Sequence, residues 1–246
     1  MSWYDRAEIY DILFGWDPRA EVEFLLGASA SWGIPSPRKV LEPFCGSGRL
    51  LRPFPGAVGF DLNPFMVRYA ARASRVFRAD AARFAVRQES FDLAHCLIDS
   101  FRHLVTEEQA CRHLRAVARA LEPGAVYVLG LDVTGDLREG DASVEEWTAE
   151  RDGIRVEGYA TALGDADPDT RVETGHFRMD VYRAGRYERI ETFQPLRVYS
   201  RRQLEDLIDS EASFEIVAVY DRSYDLGSPV ELDEVAGSAV LVLRRS

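Results

Sequence analysis

Short apolar runs alternate with stretches of helical periodicity through the first half of the chain. The apolar runs predict strands at 39–42, 57–61, 75–79, 91–97 and 125–131. Apolar residues at helical spacing between these runs predict helices from about Arg49, over 64–73 and over 106–121. Such strict alternation predicts a doubly wound, parallel sheet with right-handed crossovers. The fold class predicted for this half is therefore α/β.

The pattern changes after the fifth predicted strand. Residues 135–143 are rich in glycine and acidic residues and predict a loop, whereas residues 144–199 contain stretches with a period of two. Within them Ala184-Gly185 stands between two tyrosine-containing runs and predicts a hairpin turn. We therefore predict an antiparallel β insertion over residues 135–199.

The pattern of the first half returns after the insertion. Ser200 and Gln203 form a capping-box sequence that predicts the start of a helix. Apolar runs at 214–220 and 239–244 predict two further strands. With the strands already assigned they give one sheet of seven strands, so residues 1–246 are predicted to form a single domain that carries an insertion.

Aromatic residues are concentrated in the first sixteen positions. A helix is predicted over 6–14, and Asp17-Pro18 predicts the start of a second helix, with an N-cap residue followed by proline. We expect residues 1–37 to form a helical cap on the domain. Two interpretations of its aromatic residues stay open, namely packing on the main body and a flap over a pocket.

A glycine-rich turn stands between two acids that end predicted strands. Glu42 ends the first strand, Asp61 ends the second, and Gly46 and Gly48 lie in the turn. A turn this tight offers backbone N–H groups to a ligand, and a carboxylate at the end of the second strand accepts ribose hydroxyls. The stretch therefore predicts a nucleotide-like cofactor. A nicotinamide fingerprint would need a third glycine where Leu51 stands, which argues against a dehydrogenase.

The composition narrows the class of protein. A net charge of −11 and a pI near 4.9 argue against broad binding of nucleic acid, which needs a basic face. Three widely spaced cysteines fit reduced thiols, and the histidines match no ligand spacing, so no metal is predicted. Neither a membrane span nor a signal peptide is recognisable. We therefore expect a cytoplasmic protein with no membrane or nucleic-acid partner.

Four motifs follow predicted strands in a fixed order. They are Leu41–Gly48, Gly59–Asn63, Arg78–Ala81 and Phe91–Ser100. In content and spacing they resemble motif I, the ribose-binding motif, the motif after strand 3 and motif IV of the class I S-adenosylmethionine-dependent methyltransferases. The resemblance is close over residues 38–132 and topological over 200–245. It implies a Rossmann-like sheet, mostly parallel, whose last strand is antiparallel.

The resemblance also implies S-adenosylmethionine as the cofactor and S-adenosylhomocysteine as its product. The residues that it places against the cofactor are Glu42, Phe44, Gly46, Ser47, Gly48, Asp61, Leu62, Asp80, Ala81 and Leu97. Two positions depart from the family pattern. Phe44 stands where the family usually has its first glycine, and Arg102 stands where relatives often have a small or amide residue.

Tyr10 and His103 are the candidate catalytic residues. Residues 7–14 resemble the N-terminal helix of small-molecule N-methyltransferases, including those acting on amino sugars, in which a tyrosine at this point faces the active site. His103 lies just past motif IV, near the carboxyl ends of the strands, where α/β sheets bind ligands. The alternatives are that Tyr10 packs on the sheet and that His103 is a surface or capping residue.

The methyl acceptor is predicted only as a class. We expect transfer to a nitrogen or oxygen atom of a small molecule, with residues 135–199 serving as a substrate lid or as a homodimer contact. A nitrogen acceptor is favoured because no metal site or evident base is recognised. An RNA or protein methyltransferase of the same fold, and a non-catalytic subunit that binds the cofactor, are the alternatives.

Overall fold

A computed structural model describes residues 2–133, 144–211, 213–235 and 237–246. The α-helices are α1 Ala7–Leu13, α2 Arg19–Trp32, α3 Pro64–Ala70, α4 Glu107–Ala120 and α5 Arg201–Ser210. Short 3₁₀-helices are Trp3–Asp5, Ser100–His103 and Leu232–Glu234. The strands are β1 Val40–Pro43, β2 Val58–Asp61, β3 Arg75–Arg78, β4 Phe91–Cys96, β5 Leu121–Val133, β6 Glu145–Arg151, β7 Ile154–Leu163, β8 Val172–Arg183, β9 Arg186–Arg197, β10 Phe214–Tyr220 and β11 Gly237–Arg245.

The main sheet has seven strands in the order β10-β11-β5-β4-β1-β2-β3. Strands β5, β4, β1, β2 and β3 are parallel to one another, and β11 is antiparallel to both of its neighbours. This order confirms the predicted doubly wound, mostly parallel sheet with an antiparallel last strand. Because parallel strands share their direction, the carboxyl ends of β4, β1, β2 and β3 meet at one edge.

Two apolar cores lie on opposite faces of this sheet. On β5 alternate residues separate between them, with Tyr127 in the core that contains α4 and α5 residues and Val128 in the core that contains α2 residues. Successive strand side chains point to opposite faces, so a run that is apolar throughout is buried on both. The continuous apolar stretch of β5 is therefore the sequence signature of a central strand.

The insertion forms a separate antiparallel sheet in the order β6-β7-β8-β9. Ala184 and Gly185 turn between β8 and β9 with φ of 47° and 75°, the positive values that a two-residue hairpin turn of type I′ requires. Helix α1 packs on this sheet. Gly158 permits that contact, since a Cβ there would lie 2.4 Å from a methyl carbon of Leu13. Residues 135–143 of the predicted insertion lie outside the described residues.

One predicted helix is wrong, and several boundaries shift. The helix expected from about Arg49 is replaced by turns, with a single helical hydrogen bond from Arg52 N to Gly48 O at 3.3 Å. Pro53 and Pro55 cannot donate backbone hydrogen bonds, so the helix cannot continue. The helix at 201–210 begins at the predicted capping box of Ser200 and Gln203, which forms in full. The helix at 107–120 begins at a second complete capping box, formed by Thr106 and Gln109.

Candidate functional site

The residues predicted to bind the cofactor lie at the carboxyl ends of four neighbouring strands. Glu42 and the glycine turn end β1, Asp61 ends β2, Asp80 follows β3 and Leu97 follows β4. Since these strands are adjacent and parallel, the topology brings the four segments to one edge of the sheet. The sequence predictions therefore converge on one place in the fold.

The turn after β1 has left-handed backbone at three positions. Gly46 and Gly48 have φ of 51° and 77°, and Phe44 has φ of 57°. A non-glycine residue in this region costs on the order of 1 kcal/mol. The Phe44 ring packs against the core, with its centroid 5.5 Å from that of His113. Phe44 therefore adopts the left-handed backbone conformation that glycine favours, and packing of its ring in the core offsets the backbone strain.

The Asp61 carboxylate closes the turn. Its Oδ2 accepts a hydrogen bond from Gly46 N at 2.9 Å, and its Oδ1 accepts one from Asn63 N at 2.8 Å. Burial raises the pKa of this carboxyl, against the opposing effect of these amide donors. A carboxylate has about four acceptor positions, so two remain for hydroxyl donors. Asp61 is thus positioned by the backbone and still able to bind a ribose.

Glu42 is buried directly before the turn and retains an unused acceptor. Among the described residues, its Oε2 has no hydrogen-bond partner. Burial raises the pKa of Glu42 well above its usual range, and the positive charge of Arg49 acts in the opposite direction. A buried carboxylate oxygen without a donor is costly, and an ammonium group would satisfy it. The cofactor implied by the resemblance carries such a group on its amino-acid end, so Glu42 fits it.

The N-terminal segment packs over this edge of the sheet. A ring carbon of Tyr10 lies 4.0 Å from the position of a Cβ on Gly46. Asp5 Oδ1 accepts a hydrogen bond from Asn63 Nδ2 at 2.9 Å, directly after β2. The segment that the sequence predicted as a cap therefore contacts both the glycine turn and the end of β2.

Asp11, in helix α1, anchors the N-terminal segment. Its buried carboxylate accepts hydrogen bonds from Arg52 at 2.6 Å, from the Tyr69 hydroxyl at 2.9 Å and from Arg151 at 2.9 Å. These donors belong to the loop after the glycine turn, to α3 and to β6. One carboxylate therefore ties the N-terminal helix to the main domain and to the insertion.

Tyr4, Tyr10 and His103 form an aromatic group next to the cofactor edge. The Tyr4 hydroxyl is 3.1 Å from His103 Nε2, and the Tyr4 and Tyr10 ring centroids are 5.6 Å apart. Burial raises the pKa of both tyrosines and lowers that of His103 to about 4, which leaves the imidazole neutral at pH 7. The charges of Asp61 and Asp99 both act on Tyr4. The structure thus brings the two predicted catalytic candidates together through Tyr4, which sequence reasoning missed.

Arg102, the second departure from the family pattern, joins the main sheet to the insertion. Its Nη1 donates to Asp99 Oδ2 at 2.9 Å, its Nε donates to the Arg197 carbonyl at 2.9 Å, and its Nη2 binds Glu173. Asp99 has φ of 53° and accepts a hydrogen bond from Asp132 N at 2.9 Å. Burial raises the pKa of Asp99 to about 6. This corner is a network of buried and partly buried charged side chains that joins the end of β4 to the insertion.

Two of the predicted cofactor residues are at the surface. Leu62 has 60% of its surface exposed, and Asp80 is exposed while its carboxylate accepts a hydrogen bond from Ala82 N at 2.9 Å. Ala81 is buried beside it, and its carbonyl oxygen lies 3.0 Å from His113 Nδ1. Exposed residues at the end of β2 and after β3 are available to a ligand that lies along this edge.

Residues 40–124 match the family model described as a methyltransferase domain. A solved S-adenosylmethionine-dependent methyltransferase from Clostridium acetobutylicum ATCC 824 is 17% identical, with 99% of each chain covered and a TM-score of 0.74. The sugar N-methyltransferase KedS8 from Streptoalloteichus sp ATCC 53650 is 24% identical over 95% of this chain and 90% of its own, with a TM-score of 0.71.

A third solved structure is that of CalS10, an amino pentose methyltransferase from Micromonospora echinaspora, bound to S-adenosylmethionine. It is 20% identical over all of this chain and 92% of its own, with a TM-score of 0.67. No curated protein matches the chain by sequence. The family model marks residues 40–124 as a methyltransferase domain, which confirms the predicted enzyme class, and the solved structures share the predicted fold. Both findings agree with S-adenosylmethionine as the cofactor. In the described residues, no helix is both long and apolar enough to cross a membrane.

Proposed function

We propose that this chain transfers a methyl group from S-adenosylmethionine to a nitrogen atom of a small molecule. The observation that carries the proposal is the edge where Glu42, the glycine turn and Asp61 meet beneath an aromatic N-terminal segment. This edge has the polar groups that a nucleoside with an amino-acid tail requires. The aromatic group of Tyr4, Tyr10 and His103 lies beside this edge, and such side chains can surround a reacting centre and exclude water from it.

The predicted residues divide the cofactor between them. The Asp61 carboxylate would accept hydrogen bonds from the ribose hydroxyls, and the Glu42 carboxylate would accept them from the ammonium group. Asp80 would accept a hydrogen bond from the adenine amine. The turn residues Phe44, Gly46, Ser47 and Gly48 would present their backbone to the amino-acid end, and Leu62, Ala81 and Leu97 would supply apolar walls. A sulfonium supplies the methyl group by direct displacement, so the protein contributes mainly position and orientation.

The acceptor side supports nitrogen over oxygen. A hydroxyl must lose its proton to become a good nucleophile and therefore needs a general base. His103 is the candidate base, and burial lowers its pKa to about 4, which makes it a weak one. A neutral amine is nucleophilic already and needs only orientation by groups such as Tyr4 and Tyr10. The residues at hand therefore suit an amine better than a hydroxyl.

The cap and the insertion would select the acceptor. Trp3 of the N-terminal segment donates its backbone N–H to Thr192 of β9 at 2.8 Å, and its ring centroid lies 4.6 Å from that of Phe177 in β8. We assign the insertion the role of substrate lid, since the same segment contacts both it and the glycine turn. A homodimer through its outer face, where Tyr187 and Phe193 are exposed, is the second role proposed for it. A cytoplasmic location fits the three free cysteines.

The proposal is tested by a screen for methyl acceptors. Purified protein with S-adenosylmethionine is offered small primary and secondary amines, including amino sugars linked to nucleotides, together with matched hydroxyl compounds, bulk RNA and a protein mixture. Formation of S-adenosylhomocysteine is measured against a no-acceptor control. We expect turnover with a small amine. Turnover confined to RNA or protein would contradict the small-molecule assignment, and turnover confined to hydroxyl compounds would contradict nitrogen.

A further inference from the structure

Arg49, directly after the glycine turn, is held in place from two sides. Only 9% of its surface is exposed. Its Nη2 donates a hydrogen bond to Glu21 Oε1 at 2.8 Å, and the guanidinium carbon lies 4.5 Å from the centroid of the Trp16 ring. Trp16 Nε1 donates to the same Glu21 oxygen at 2.9 Å. The guanidinium is therefore fixed along one edge by α2 and across one face by an indole.

The other edge of this guanidinium is not used. Within the described ranges, Nη1 of Arg49 and Oε2 of Glu42 are both buried and both lack a hydrogen-bond partner. The Arg49 charge acts on Glu42 more than that of any other cation, and it also acts on Tyr10. Buried polar groups in native structures are nearly always paired, and an unpaired group at a site indicates a missing partner.

Arg49 Nη1 is an unpaired donor and Glu42 Oε2 an unpaired acceptor, on either side of the same glycine turn. Their opposite charges restrict the kind of ligand that can pair with both. Phosphate oxygens would satisfy Arg49 but would be repelled by Glu42, and an apolar group would satisfy neither. An amino-acid zwitterion satisfies both, because its carboxylate suits the planar fork of arginine and its ammonium suits a carboxylate. S-adenosylmethionine ends in such a group.

We infer that Arg49 is a cofactor-binding residue that holds the α-carboxylate of S-adenosylmethionine through Nη1, opposite the ammonium at Glu42. The inference rests on the proposed function and adds a residue to its site. Both atoms have almost no exposed surface, so ligand binding requires a neighbouring side chain to move. Trp16 is the exposed side chain that stacks on Arg49, and it is the part of the cover that can move into water.

The test compares two ligands that differ only at the amino-acid end. Binding of S-adenosylhomocysteine and of 5′-methylthioadenosine, which lacks the amino-acid end, is measured by calorimetry for the wild type and for Arg49→Met. Loss of a charge-assisted hydrogen bond should weaken S-adenosylhomocysteine binding by about 10- to 100-fold. Methylthioadenosine binding should change by less than about 3-fold, since it makes no contact with Arg49.

Two further variants separate ligand contact from a structural role. Glu21→Gln keeps an acceptor for Arg49 but removes the ion pair, so we expect it to spare most of the S-adenosylhomocysteine affinity. Arg49→Lys keeps the charge without the planar fork, and we expect a smaller loss that is again confined to S-adenosylhomocysteine. If Arg49 only anchors α2, Arg49→Met would weaken both ligands equally, and the inference would be overturned.

The outcomes also separate this inference from the proposed function. A wild type that binds neither ligand contradicts the proposed function itself. A wild type that binds both, with Arg49→Met and Arg49→Lys leaving S-adenosylhomocysteine affinity unchanged, contradicts only the role of Arg49. Thermal melting of each variant shows whether it is folded under the conditions of the binding experiment.

Discussion

His95 is the side chain whose burial gives the clearest prediction for stability. It lies in β4 with none of its surface exposed, and within the described part of the chain neither ring nitrogen has a hydrogen-bond partner. Burial, aided by the positive charge of Arg49, lowers its pKa from the ordinary value of 6.5 to about 3. The folded protein therefore keeps this imidazole neutral at a pH where the unfolded chain protonates it.

The sign and size of the effect follow from proton linkage. Between about pH 3 and pH 6.5 the unfolded chain binds more protons than the folded protein, so stability falls as the pH falls through this range. For the pKa values of His95, lowering the pH from 7 to 4.5 should reduce the free energy of unfolding by about 2.5 kcal/mol. His113, whose pKa burial lowers to about 4, should add a similar loss.

The variant His95→Leu removes this contribution while keeping an apolar side chain in the core. Urea unfolding of ligand-free wild type and variant is measured at pH 7 and pH 4.5. The change in core packing cancels, because each protein is compared with itself at the two pH values. We expect the pH-dependent loss to be smaller in the variant by about 2.5 kcal/mol. An equal loss in both proteins would refute a neutral, buried His95.

Two other changes test the packing around the site. Asp11→Ala removes the acceptor of three donors, and since Arg52 and Arg151 remain partly exposed to water we expect a loss of only about 2 kcal/mol. Hydrogen exchange should then rise in residues 2–16, and wild-type protection there would contradict the anchoring role. Both Phe44→Gly and Phe44→Val lose the packing of the phenyl ring. Only the glycine variant also relieves the strain of the left-handed backbone at this position. The valine variant should be less stable than the glycine variant by about 1 kcal/mol in urea unfolding, and the reverse order would contradict the strain at this turn.

The sheet was predictable because its signals are local. The central parallel strands β1, β4 and β5 are mostly buried on both faces, and each helix at 107–120 and 201–210 starts at its own capping box. The same holds for the cofactor edge, since Glu42 and Asp61 end consecutive strands, and strand ends meet in a parallel sheet. The predicted helix after Gly48 failed for an equally local reason, the prolines at 53 and 55.

The contacts that sequence reasoning missed all join distant parts of the chain. Tyr4 meets His103 across 99 positions, and Arg151 meets Asp11 across 140. Periodicity reports which face of an element is buried but not which residue it meets. Arg102 was recognised as unusual, yet its partners on the insertion depend on how two sheets pack. The aromatic group and the Arg102 corner are made of such contacts, so the sequence pointed to single residues there and not to their partners.

The central claim is that a nucleoside cofactor binds at the edge closed by Asp61, and an aspartate at the opposite edge supplies a matched control. Asp92 also accepts two backbone amides, from Arg38 at 2.8 Å and Lys39 at 3.1 Å, but beside the amino ends of β1 and β4. Calorimetric binding of S-adenosylhomocysteine is measured for the wild type, Asp61→Ala and Asp92→Ala.

Binding by the wild type is expected, with a loss of at least about 100-fold in Asp61→Ala, because two hydrogen bonds to a charged acceptor disappear. Affinity should be retained in Asp92→Ala. No binding to the wild type, or equal affinities for the wild type and Asp61→Ala, would contradict the account.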